Sequence, residues 1–227
     1  NAKDTLMDFS ELQHQTEIRD SLDKILIKHC SQEHLKEFDS SFKHDKNLLS
    51  LLSSNGYLGL GLSEKYGGSG EDLYDLGILF ERLGYHAAPL CLTGCLVDVA
   101  QTIQKFSDDK SCNEIISSII AGEIYTSAIL EPSNQDPENP ITTAEIEDNQ
   151  IIISGTKYLS EIASIAKSIL ISVNSNEGVL LVLVKSDQVK LTDLSSTANS
   201  PLFKVELDSV SIDRTSIIHE KGRGLEA

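Results

Sequence analysis

The sequence contains no CxxC pair, no HExxH and no run of about 18 apolar residues, and it is short of cations. Each shortage closes off a class of function. Without a long apolar run there is no transmembrane helix to read, and no membrane insertion is expected. Without paired cysteines at metal or disulfide spacing, Cys30, Cys91, Cys95 and Cys112 read as reduced thiols in a cytoplasmic protein. The N-terminal stretch is polar and charged, so no secretory leader is read there. The 19 lysines and arginines stand against 35 aspartates and glutamates, a formal net charge of −16. Nucleic acid is a poor partner for such a chain, because phosphates need cations to neutralise them. Anionic ligands are welcome only where local amides or a few lysines receive them. Cys30 and His34 lie one helical turn apart, yet no second pair completes a metal site, and none is expected.

What is present divides the chain. The first half carries helical periodicity. "SELQHQTEIRDSLDKILIKH" places Ile18, Leu22, Ile25 and Leu26 on one face, with Ser10 and Gln13 as a capping box. "NLLSLLSSNG" predicts a second helix stopped by Gly56. "EDLYDLGILFERLG" puts Leu73, Leu76, Phe80 and Leu83 on a stripe, with Gly84 as its C-terminal cap. "LTGCLVDVAQTIQKF" and "NEIISSIIAG" continue the pattern. Near Gly122 the texture changes to strands. "AEIEDNQIIISG" reads as a hairpin through Asp148-Asn149, "SILISV" and "VLLVLVK" as a second hairpin, and Phe203, Val205 and Leu207 as one face of a further strand. Strands without intervening helices predict an α+β chain. Its expected plan is an all-α helical domain over residues 1–123, then a small antiparallel β-barrel or sandwich over residues 124–227. The long polar loop "EPSNQDPENP" is a candidate functional loop.

The stretch "EKYGGSG" looks able to cradle a phosphate. A Walker-type loop needs a strand before it and Lys-Ser/Thr at its end, and neither is here. A dinucleotide fingerprint needs a βαβ unit, which this half lacks. A structural turn is the reading that remains.

The order of these features resembles the acyl-CoA dehydrogenase family. "NGYLGLGLSEKYGGSGEDLYDLGILFERLGYHAAP" is similar to its pattern of a helix ending at Gly, then Pro-Glu-x-Tyr-Gly-Gly-x-Gly, then a helix ending Glu-x-Leu-Gly; Ser63 stands where proline is usual. Gly122, Glu131, Pro132, Gly155, Lys157 and Ala166 match the start of the family's middle β domain, with Lys167 in place of an aspartate. "FKVELDSVSIDRTSII" is similar to the segment that follows, and "KGRGLEA" to the entry of the C-terminal helical bundle, which is absent from this chain. Two motifs are eroded. The common Thr-Glu-Pro-x-x-Gly-Ser-Asp becomes Leu130-Glu131-Pro132 followed by "SNQDP", and Trp-Ile-Ser/Thr becomes Leu159-Ser160-Glu161. Such erosion resembles the small subunits of heteromeric acyl-CoA dehydrogenases, which pair with a second, related chain.

The resemblance implies α,β-dehydrogenation of an acyl-CoA thioester by an FAD-dependent oxidoreductase of lipid metabolism, with an electron-transfer acceptor downstream. It places Ile129, Leu130, Glu131, Leu159, Ser160 and Glu161 at the flavin, and Ser133, Asn134, Cys91 and Cys95 at the substrate. It implies a sister subunit or a homo-oligomer as partner. No catalytic residue is assigned, since the family's carboxylate base is expected beyond Ala227. The alternative is a non-catalytic member that binds a sister subunit or acyl-CoA without redox chemistry. Glu161 is the anomaly: a carboxylate is repelled by reduced, anionic flavin, and Lys157 reads as a surface or hinge lysine.

Overall fold

The computed structural model describes residues 10–39, 44–70, 72–134, 136–197 and 200–219. The segment "KGRGLEA" lies outside them. Six α-helices are described: α1 Gln13–His29, α2 Gln32–Asp39, α3 Lys46–Ser54, α4 Leu73–Tyr85, α5 Ala100–Phe106 and α6 Asp109–Ile120. A π-helical segment, Gly94–Val99, runs directly into α5, within the stretch "LTGCLVDVAQTIQKF" that the sequence reads as helical.

The helices that periodicity predicts are present, but two ends move, and α2 is not among those predicted. α1 is capped by Leu12, whose N–H donates to Gln15 Oε1 at 2.9 Å. The box therefore sits two residues later than the Ser10–Gln13 reading. Gln15 is itself buried, and its Nε2 donates to Asp75 Oδ1 on α4 at 3.1 Å, which anchors this register. Gly84 does not end α4. The helix runs to Tyr85, and Ala87 takes the left-handed conformation (φ 49°) expected of a terminating residue. Asp23 holds this end: its Oδ1 accepts from Arg82 Nε at 2.7 Å and lies 2.9 Å from His86 Nε2. Leu73 is exposed, so the buried stripe of α4 is Leu76, Leu79 and Leu83. α3 ends as read, with Gly56 left-handed just beyond it, and Asp45 caps its start by accepting from the amides of Asn47 and Leu48, both at 3.0 Å.

The "EKYGGSG" stretch is a turn whose amides are spent internally. The Gly68 N–H donates to the Ser63 carbonyl, Ser69 to Gly59 and Gly70 to Leu62, at 3.0, 2.9 and 2.9 Å. A Cβ at Gly68 would lie 2.1 Å from the Leu62 carbonyl oxygen, a backbone atom that cannot yield locally. Gly68→Ala is therefore expected to cost about 3 kcal/mol or more, measured as a fall in urea midpoint. An unchanged midpoint would mean that the turn is free to open.

The second half holds eight strands: β1 Tyr125–Ala128, β2 Thr143–Glu147, β3 Gln150–Glu161, β4 Ser168–Ser175, β5 Gly178–Lys185, β6 Lys190–Leu194, β7 Leu202–Asp213 and β8 Ile217–His219. They form one sheet in the order β6-β7-β3-β2-β4-β5-β8, with β1 added beside β4. Both hairpins are where the sequence places them. The sheet is mixed rather than wholly antiparallel, because β1 and β2 each pair with β4 in parallel.

Alternation along β4 and β5 explains their nearly continuous apolar composition. Ile169, Ile171, Val173, Leu180, Val182 and Val184 enter a core inside the sheet. Leu170 and Leu181 face the other way, into the core that holds Leu22, Leu52, Leu79 and Ile116 of the helices. A strand buried on both faces reads as an unbroken apolar run. The helical half is thus seated on the sheet through a shared core. Fully burying each such side chain contributes about 1.5–3 kcal/mol before entropy is counted.

Candidate functional site

The junction of the two halves holds a cleft of about 270 Å³ between the π-helical segment, the end of β1 and the far end of β3. Hydrogen bonds between side chains and backbone set its shape. Thr126 Oγ1 donates to the Glu161 carbonyl at 2.7 Å, and Ser160 Oγ donates to the Ser127 carbonyl at 2.8 Å. The Tyr158 N–H donates to the Leu130 carbonyl at 2.8 Å. Ser127 Oγ donates to Asp98 Oδ2, on the helical side, at 2.5 Å. The β3–β7 ladder slips between Lys157 and Ser160, and the bulge turns Leu159 out. Leu159 has φ 59°, a left-handed conformation that a bulky L-residue adopts only under constraint. Leu130 and Leu159 are large apolar side chains left 46% and 44% exposed here.

Four of the six residues read as flavin-facing line this cleft: Ile129, Leu130, Leu159 and Glu161. The other two turn away. Ser160 is buried with its hydroxyl on β1. Glu131 is buried behind the cleft, in a cluster that reverses the surface reading of Lys157. Lys157 Nζ donates to Glu131 Oε1 at 2.9 Å, to Ser172 Oγ at 3.1 Å and to the Ile129 carbonyl at 3.3 Å, and its side chain is 0% exposed. The remaining Glu131 lone pairs accept from the Ile141 amide (2.7 Å), the Thr142 amide (2.8 Å) and Thr142 Oγ1 (2.6 Å). Burial alone would raise the Glu131 pKa; the Thr142 hydroxyl, the Ile141 amide and the Lys157 ammonium outweigh it and hold it at about 2. Burial lowers the Lys157 pKa, against the pull of Glu131.

The residues read as substrate-facing also divide. Ser133 is exposed on its loop. Asn134 turns inward, its Nδ2 donating to Glu131 Oε2 at 3.1 Å and to the Asn139 carbonyl at 2.7 Å, so it ties the loop to the buried cluster. Cys95 is buried in the core, and its Sγ accepts from the Tyr125 amide at 3.5 Å. Cys91 is half-buried next to Glu161. Burial pushes the Cys95 thiol up to about 11; burial and the Glu161 carboxylate push Cys91 up as well. Neither thiol is a ready nucleophile. His34 Nε2 lies 2.7 Å from Asp45 Oδ2.

The sequence reading missed Asp98, Thr126, Ser127 and Tyr158, all lining the cleft. Asp98 left a trace: it is the lone charge in "LTGCLVDVAQTI". The hydroxyls of β1 left none.

The family profile described as the acyl-CoA dehydrogenase N-terminal domain matches residues 13–123. Acyl-CoA dehydrogenase FadE12 of Mycobacterium tuberculosis is 27% identical over 175 residues, 76% of this chain and 44% of that protein. Among solved structures, a variant of the Tcur3481-Tcur3483 steroid ACAD is 26% identical with a TM-score of 0.83, covering 91% of this chain and 57% of that one. The ChsE4-ChsE5 complex from Mycobacterium tuberculosis superposes with a TM-score of 0.86 at 20% identity, over 97% of this chain and 59% of that one. Residues 13–123 therefore carry the acyl-CoA dehydrogenase N-terminal domain, and the match to FadE12 covers less than half of that protein. Among the described residues no helix is long and apolar enough to cross a membrane.

Proposed function

We propose that this chain serves as a subunit of an acyl-CoA dehydrogenase-type assembly that converts an acyl-CoA thioester to the 2-enoyl thioester, with FAD as the redox group. The observation that carries the reading is the cleft itself. Apolar Ile129, Leu130 and Leu159 meet there, at the positions the resemblance gives to the flavin's edge. The π-helical segment supplies the opposite wall, on the side the resemblance gives to the acyl chain. The chain's contribution is to orient and to exclude water, while the base and the electron-transfer acceptor belong to the rest of the assembly. A sister dehydrogenase chain is the partner we assign. The eroded motifs around Leu130 and Glu161 support it, and so does the likeness to a complex named for two chains. A cytoplasmic setting fits four unpaired thiols.

A second reading, a member that binds a sister chain or acyl-CoA without redox chemistry of its own, is favoured by Asp98 and Glu161 at the cleft. Co-expression of the full-length protein with a neighbouring dehydrogenase chain distinguishes the two. Co-purification with a visible flavin band and turnover of a saturated acyl-CoA supports the first. A colourless, inactive complex supports the second.

A further inference from the structure

The residues of the cleft fit the apolar face of an aromatic ring but not the electron-rich edge of a reduced flavin. Reduced flavin carries negative charge and is held by hydrogen-bond donors and cations. Here Asp98 and Glu161 both line the cleft, and among its described lining residues none is basic. The hydroxyls of β1 are spent on the protein itself, Thr126 on the Glu161 carbonyl and Ser127 on Asp98. The Lys157 ammonium reaches only the back of the wall, at the Ile129 carbonyl, and its charge is neutralised by Glu131. Like charges in a partly desolvated cleft repel more strongly than in water.

We propose that Asp98 and Glu161 are specificity determinants that set this cleft against reduced flavin, so that this chain holds FAD weakly and the redox site of the assembly lies on its partner. The inference rests on the reading of this cleft as the family's flavin-side cleft.

The test is FAD titration of the full-length protein, followed by flavin fluorescence and isothermal calorimetry. Wild type is compared with Asp98→Asn, Glu161→Gln and the double variant, with Glu161→Thr as a second exchange should one variant fold poorly. Each single neutralisation is expected to tighten reduced flavin about tenfold relative to the oxidised form, and the double about a hundredfold. The midpoint potential of bound flavin should rise by about 30 mV for each tenfold preference gained by the reduced form. A merely structural role for the two carboxylates would not move the potential. Wild type that binds FAD as tightly as the double variant, at the same potential, overturns the inference and leaves the reading of the cleft standing. No FAD binding by wild type or by any folded variant overturns both.

Discussion

Replacing Lys157 with methionine is expected to destabilise the protein by about 3–5 kcal/mol. The exchange keeps the volume but leaves the Glu131 carboxylate buried without its cation. Glu131→Leu in the same background should recover only part of the loss. Removing both charges ends the desolvation penalty, yet the Ile141 amide, the Thr142 amide and Thr142 Oγ1 then lose their acceptor. Each buried donor left unpaired costs about 1–3 kcal/mol. The pair also predicts an acid limb. The folded-state pKa of Glu131 is depressed from 4.5 to about 2, so its contribution is complete above the ordinary carboxylate range. That contribution, about 3 kcal/mol, is lost as pH falls from about 4.5 through about 2. Urea denaturation at pH 7 and pH 3 checks both points, and Glu131→Gln should flatten the acid limb. A Lys157→Met protein within about 1 kcal/mol of wild type would mean that water reaches this lysine.

A polypeptide of these 227 residues, supplied with FAD and an artificial electron acceptor, is expected not to dehydrogenate a saturated acyl-CoA. The resemblance places the family's base in a C-terminal helical bundle, and a missing general base commonly costs about 10²–10⁴ in rate. The carboxylates at the cleft are already engaged: Asp98 accepts from Ser127, and Glu161 lies against the Cys91 thiol. The assay is acceptor bleaching against a no-protein control. Turnover that disappears in Glu161→Gln would make Glu161 the base and overturn the assignment of that role elsewhere.

Much of the fold was legible because it rests on local patterns. The 3.6-residue period of Leu22 and Leu26, and the period of two in Phe203, Val205 and Leu207, each describe one buried face. What was not legible depends on partners distant in sequence. Gly84 carried the right residue type for a helix end, but α4 runs one residue further, to Tyr85, and Asp23, on another helix, holds Arg82 and His86 at that end. The parallel pairing of β1 with β4 spans a long connection and leaves no mark in either strand. The site divides in the same way. Motif order brought Ile129, Leu130, Leu159 and Glu161 to one cleft, but the residue types of Glu131 and Lys157 suggested exposure. They are buried because the matching glutamate and lysine of the two motifs neutralise each other. Gly155 permits it, since a Cβ there would lie 2.6 Å from Thr142 Oγ1, one of the donors to Glu131.

The flavin content of each chain in a co-purified complex tests the central claim most directly. The full-length protein is co-expressed with a neighbouring dehydrogenase chain, the complex is isolated, and its visible spectrum is scaled to protein and compared with that of each chain purified alone. The account predicts a colourless product from this chain by itself and a yellow, acyl-CoA-oxidising complex with its partner. A flavin-loaded, active homo-oligomer of this chain alone would contradict it.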